Sequence, residues 1–134
     1  MSSTSIVPEQ EAGIRILIVS DDRSVRETLE GFVRTSDYPS TCRACVSAEA
    51  ESTAESCRPG LLIMDLSPSQ TTDGIDLAER VSRKRPVPLV FVIGELNSPT
   101  LARAVGSDPL GFISKPLKPT MVFQYRILII FCHT

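Results

Sequence analysis

The feature that most constrains this 134-residue chain is its regular alternation of two periodicities. Five short apolar or β-branched runs, "IRILIVS" (14–20), "TCRACV" (41–46), "LLIMDL" (61–66), "PLVFVI" (88–93) and "LGFIS" (110–114), are separated by stretches with helical spacing. In "SVRETLEGFVRTS" (24–36), Val25, Leu29, Phe32 and Val33 fall on one helical face, and in "DGIDLAERVSRK" (73–84), Ile75, Ala78 and Val81 do the same. "SAEAESTAESC" (47–57) reads as a short polar helix ended by Pro59-Gly60. In "SPTLARAVG" (98–106) we expect Ser98 at the N-cap, Pro99 at the first helical position and Gly106 at the stop. Continuous apolar strands alternating with helices call for a parallel sheet buried on both faces, because each crossover lays a helix against the sheet. No internal repeat or second domain boundary interrupts this pattern.

The central run raises a chemical question, since Leu61, Leu62, Ile63 and Met64 lead straight into Asp65. A carboxylate at the end of a buried strand is costly unless charge meets it. In open parallel sheets, the carboxyl ends of the strands form the ligand edge. Asp21 and Asp22 follow the first run, Asp65 ends the third and Lys115 follows the fifth, so all four project from that edge. Clustered carboxylates call for a cation, and hard oxygen ligands with open positions suit Mg²⁺. A carboxylate beside a metal can attack phosphorus, and a facing lysine can stabilise phosphoryl oxygens. The chemistry indicated is phosphoryl transfer onto Asp65.

Composition removes other classes. A formal net charge of −2 offers no basic surface for nucleic acid or an anionic membrane. The start, "MSSTSIVPEQEAG", lacks the apolar core of a secretory signal and reads as a flexible leader over 1–13, which places the chain in the cytoplasm. Cys42 and Cys45 form a C-x-x-C, but on a strand positions three apart face opposite ways, so they read as buried small side chains rather than a redox or zinc pair. Residues 121–132, "MVFQYRILIIFC", are apolar around nearly the whole helical circumference, yet too short to span a bilayer, which takes about 20 apolar residues. This segment is either a fifth helix covered by the sheet or a partner, or an edge strand, and its exposure would drive homodimer formation.

In their order and spacing, "ILIVSDDRSVR", "RPGLLIMDL", "DGIDL", "PLVFVIGE" and "GFISKPL" make residues 14–120 resemble the receiver domain of two-component response regulators. The resemblance implies a flavodoxin-like doubly wound α/β fold with five parallel strands in the order 2-1-3-4-5, the receiver domain taking in residues 14–134. It implies that Asp65 is the phosphoacceptor, that Mg²⁺ is held by Asp21, Asp65 and the backbone carbonyl of Ser67 with Asp22 near it, and that Lys115 contacts the phosphoryl group. A cis Lys115-Pro116 bond and a switching aromatic at Phe112 follow from the same likeness. The implied donor is a histidine kinase or phosphotransfer protein, and the only chemistry expected is the chain's own phosphorylation and dephosphorylation, so it is not otherwise an enzyme.

The chain departs from the family pattern at three places. Ser20 stands where the first of the clustered acids is usual, which weakens the metal site unless Asp22 substitutes. The loop after Asp65 is rebuilt, with Pro68 three residues on and Asp73-Gly74 eight and nine on. Ile93 replaces the Thr or Ser whose hydroxyl bonds the phosphoryl group. Ser20, Ile93 and the apolar tail support a second reading, a degenerate receiver acting as a phosphorylation-independent interaction module. A haloacid-dehalogenase-type phosphatase would carry a second Asp two residues past the nucleophile, where this chain has Ser67.

Overall fold

The computed structural model describes residues 13–35, 40–66, 73–95 and 97–118. Five strands, β1 (Ile14–Val19), β2 (Ser40–Cys45), β3 (Leu61–Leu66), β4 (Leu89–Ile93) and β5 (Gly111–Ser114), form one sheet in the order β2-β1-β3-β4-β5. Every pairing is parallel. Four helices, α1 (Arg23–Thr35), α2 (Ala50–Cys57), α3 (Gly74–Lys84) and α4 (Ser98–Gly106), provide the crossovers. This is the doubly wound order expected from the resemblance. The leader before Gly13, Ser67 and the apolar stretch 121–132 lie outside the described residues, so the expectations placed on them are not addressed by it.

Strand alternation divides the core in two. Ile16 and Ile18 of β1, Leu61 and Ile63 of β3, Val90 and Val92 of β4 and Ile113 of β5 pack with Val25, Leu29, Phe32 and Val33 of α1. Leu17, Val19, Leu62, Met64, Leu66 and Phe91 face the other way, toward Ile75, Leu77, Ala78 and Val81 of α3 and Ala104 of α4. All six residues of β3 are buried, as a central strand covered on both faces must be, whereas edge strand β2 alternates half-buried and exposed positions until Cys45. Cys42 packs against the first cluster and Cys45 belongs to the second, so the C-x-x-C is split across the sheet. Burial pushes the Cys42 thiol up to about 12 and raises that of Cys45 as well, the opposite of a reactive pair.

Local details correct two expectations. The stretch 47–57 is not one helix: Ser47–Glu49 form a 3₁₀ turn and α2 begins at Ala50. The N-cap of α4 is Asn97, whose side chain accepts the Thr100 N–H at 2.8 Å, so Ser98 lies inside the helix. Asparagine one residue earlier wins because its carbonyl oxygen reaches the third helical N–H from an extended backbone. At α3 the cap is Asp73, and Gly74 is required by packing. A Cβ there would sit 2.7 Å from Leu66 Cδ2 and 3.2 Å from the Asp65 carbonyl oxygen, so only glycine lets this helix start against the end of β3.

Candidate functional site

The alternation that sorts the core also aims the site. Ser20 continues the face of Ile16 and Ile18, Asp65 that of Leu61 and Ile63, and Lys115 that of Ile113, all on the α1 side of the sheet. Parallel pairing of Val19 with Met64 brings the ends of β1 and β3 level. Ser20 Oγ lies 2.6 Å from Asp65 Oδ2, and Lys115 Nζ lies 2.8 Å from Asp65 Oδ1. Lys115 starts two strands away and crosses the end of β4 close to Gly94, its Cδ 3.5 Å from where a Cβ there would stand. The Lys115-Pro116 bond is cis, and the Lys115 N–H donates to the Ile93 carbonyl at 2.7 Å.

Asp65 has no exposed surface, while the Lys115 side chain keeps 23% of its own. A carboxylate this deeply placed is tolerated because a cation and a hydroxyl donor flank it. The hydroxyl is itself oriented. Ser20 Oγ accepts the Asp22 N–H at 3.0 Å, which turns its proton toward Asp65. The Ser20 backbone is pinned by its N–H to the Cys45 carbonyl at 3.1 Å and by Arg26 Nη1 donating to its carbonyl at 2.7 Å.

The two remaining acids at this edge have other hydrogen-bond partners. One Asp22 carboxylate oxygen accepts the Ser24 hydroxyl and N–H, each at 2.9 Å, as an N-cap of α1 would. These bonds, the hydroxyl first, hold the Asp22 carboxyl below the usual carboxylate range. Asp21 Oδ1 accepts the Ser47 N–H at 2.8 Å, and the Ser47 hydroxyl lies 3.0 and 2.8 Å from Oδ1 and Oδ2. Among the described residues no three His, Cys, Asp or Glu side chains group as metal ligands. Two carboxylates, Asp21 and Asp65, nevertheless stand at the ends of neighbouring strands. Mg²⁺ is commonly held by one or two carboxylates with several retained waters, so this donor set suits it.

On the opposite face, Ile93 is half-buried against the α3 side of the core. Phe112 is 36% exposed, and its ring centroid lies 6.1 Å from that of Phe91 at 31°. No hydroxyl is available at the Ile93 position. Ser20 and Ser47 are the site residues that sequence reasoning undervalues: by residue type Ser20 reads as a lost acid although it is a donor to Asp65, and Ser47 carries no motif although it bonds Asp21. Both lie at the carboxyl end of a strand, the same signal that found Asp65.

A bridge joins the first turn of α3 to α4. Arg103 Nη1 donates to Asp73 Oδ2 at 2.9 Å and Nη2 to Asp76 Oδ1 at 3.0 Å. Burial pulls the Asp73 carboxyl upward, but the Arg103 hydrogen bond and the Asp76 and Ile75 N–H groups outweigh it, and its pKa is lowered. A depressed folded-state pKa contributes stability above the unfolded value, about 3.9, and loses it as pH falls through the folded value. Asp73→Ala should therefore cost about 1–2 kcal/mol at neutral pH, as loss of a cap does, and the gap from wild type should shrink below about pH 4. Urea unfolding at pH 7 and pH 3 measures this, and a gap equal at both would contradict it.

No helix among the described residues is long and apolar enough to cross a membrane. Comparison with known proteins agrees with the geometry. A family model described as the response regulator receiver domain matches residues 16–125. The transcriptional regulatory protein PdtaR of Mycobacterium tuberculosis is 30% identical over 102 residues, which is 76% of this chain and 49% of the relative. The chain thus spans about half the length of the curated relative it matches. The signal receiver domain of a modulated diguanylate cyclase from Desulfovibrio desulfuricans has the same fold, with a TM-score of 0.72 and 23% identity over 90% of this chain and 96% of that one. The response regulator domain of Thermotoga maritima CheB aligns with a TM-score of 0.74 and 20% identity, covering 90% of this chain and 96% of that one.

Proposed function

Because this chain belongs to the response regulator receiver domain family, we propose that it is a cytoplasmic phosphoacceptor in a two-component relay, taking a phosphoryl group on Asp65 from a histidine kinase or phosphotransfer protein with Mg²⁺. The observation that carries this reading is the fully buried Asp65 carboxylate held between Lys115 Nζ at 2.8 Å and Ser20 Oγ at 2.6 Å. A structural carboxylate has no need of such a place at the ligand edge of the sheet.

In the transfer, an Asp65 oxygen forms a bond to phosphorus as the phosphorus–nitrogen bond of the donor breaks, and the electron pair leaves with the donor imidazole. The Lys115 ammonium is within reach of charge gathering on the phosphoryl oxygens and moves onto them as Asp65 surrenders its own charge. Ser20, already oriented by the Asp22 N–H, keeps the attacking carboxylate in one setting. Asp21 and Asp65 would hold Mg²⁺, with the Ser67 carbonyl outside the described residues, and the ion would neutralise the phosphoryl oxygens. Ile93 offers no hydrogen bond to them, so coupling between the phosphoryl group and Phe112 is weaker than a hydroxyl there would make it.

A second reading, an interaction module that works without phosphorylation, is favoured by three features: Ser20 in an acid's place, Ile93 in a hydroxyl's place, and Asp21 bonded to Ser47. Intact mass after treatment with acetyl phosphate and Mg²⁺ separates the two. Wild type should gain one acid-stable, alkali-labile phosphoryl group, and Asp65→Asn should gain none. An adduct of equal yield on Asp65→Asn would end the phosphoacceptor assignment. Failure of wild type to react would favour the module.

A further inference from the structure

Ser47 opens the 3₁₀ turn between β2 and α2, 26 residues along the chain from Asp21. It is buried, at 5% exposure, although Asp21 itself is largely solvent-facing. Its N–H and hydroxyl together engage both oxygens of the Asp21 carboxylate, with contacts of 2.8, 3.0 and 2.8 Å. The single hydroxyl proton serves one oxygen at a time, while the N–H is fixed on Oδ1. Sheltered donors of this kind compete well with water, and bonds to an ionised group are the stronger class.

Resting on the reading of Asp21 and Asp65 as the carboxylates that face the ion, we propose that Ser47 is a positioning residue that sets the Mg²⁺ affinity of the acceptor site, by holding the Asp21 carboxylate in a hydrogen-bonded rest position. A carboxylate oxygen that turns its lone pairs to a cation must give up donors lying along the same directions. The competition weighs heavily in this chain because Ser20 stands in an acid's place and Asp22 is tied to Ser24, which leaves Asp21 and Asp65 to face the ion. It also links the ion to the polypeptide, because the Ser47 N–H bonded to Asp21 belongs to the turn that leads into α2.

Titration of the unphosphorylated protein with Mg²⁺ by calorimetry tests this without any turnover. Ser47→Ala, which keeps the N–H bond and loses the hydroxyl, should bind Mg²⁺ about tenfold more tightly than wild type, equivalent to about 1.4 kcal/mol. Ser47→Thr, which keeps a hydroxyl, should return to the wild-type value. Hydrogen exchange of the Ser47 amide in wild type should quicken when Mg²⁺ is added, a readout that does not depend on a variant folding. Asp21→Ala should erase the difference between serine and alanine at position 47. Equal or weaker binding by Ser47→Ala overturns the proposal, as does an absence of binding in both proteins. An adduct on Asp65 with equal Mg²⁺ affinities would defeat the role of Ser47 alone, whereas a tenfold difference with no adduct would defeat the phosphoacceptor reading alone.

Discussion

Lys115→Met should lower the unfolding free energy by about 3 kcal/mol, the low end of the cost of removing one member of a buried pair. The low end applies because the Lys115 side chain keeps 23% exposure and Ser20 still donates to Asp65 after the change. Most of the loss comes from stranding a carboxylate with no exposed surface, and little from the lost attraction itself. Adding Asp65→Asn to Lys115→Met should therefore recover most of the stability, since the amide carries no charge to strand. Urea unfolding of wild type, both single variants and the double variant completes the cycle. Equal instability of Lys115→Met with and without Asp65→Asn would show that the lysine acts through packing.

Phe91→Ala should cost about 3–5 kcal/mol, the range for deleting a buried aromatic. Phe91 is fully buried, and its register neighbours are Met64 on β3 and Phe112 on β5. The cavity would open beneath Phe112, whose ring rests 6.1 Å away, so amide exchange along β5 should quicken more than along β1. Phe91→Leu should cost about 1 kcal/mol, because most of the volume is kept. A loss below about 1 kcal/mol for Phe91→Ala would mean that the sheet closes over the space.

Much of this was legible from residue order because burial writes itself into strands as unbroken apolar runs. Leu61 to Met64 read as the third of five buried strands, which the structure places at the centre of the sheet, and the acid that ends them falls at its open edge. The α1 face was equally plain, since Val25, Leu29, Phe32 and Val33 repeat at helical spacing and all four are buried. What could not be read was pairing between distant polar side chains. The Ser20–Asp65 bond joins residues 45 apart, and the Ser47–Asp21 bonds join residues 26 apart. Periodicity locates a strand end without saying which hydroxyl there meets which carboxylate. The Arg103 bridge to Asp73 and Asp76 was invisible for the same reason. The misplaced cap of α4 is a different case: Asn97 and Ser98 are both good caps, and spacing alone does not choose between adjacent ones.

The strand order bears on how a ribosome delivers this protein. β1, β2 and β3 are complete once Leu66 has been made, and they already account for the buried neighbours β1 has on both edges. Lys115, the counter-charge to Asp65, is added about fifty residues later, after β4 and β5. Since chains are made from the N-terminus at about 5–20 residues per second, seconds pass in which Asp65 has been made and Lys115 has not. A carboxylate without its counter-charge is costly to bury, so full burial of Asp65 waits on Lys115 or on a bound ion. The residue that faces the Asp65 carboxylate is thus among the last of the sheet edge to be made.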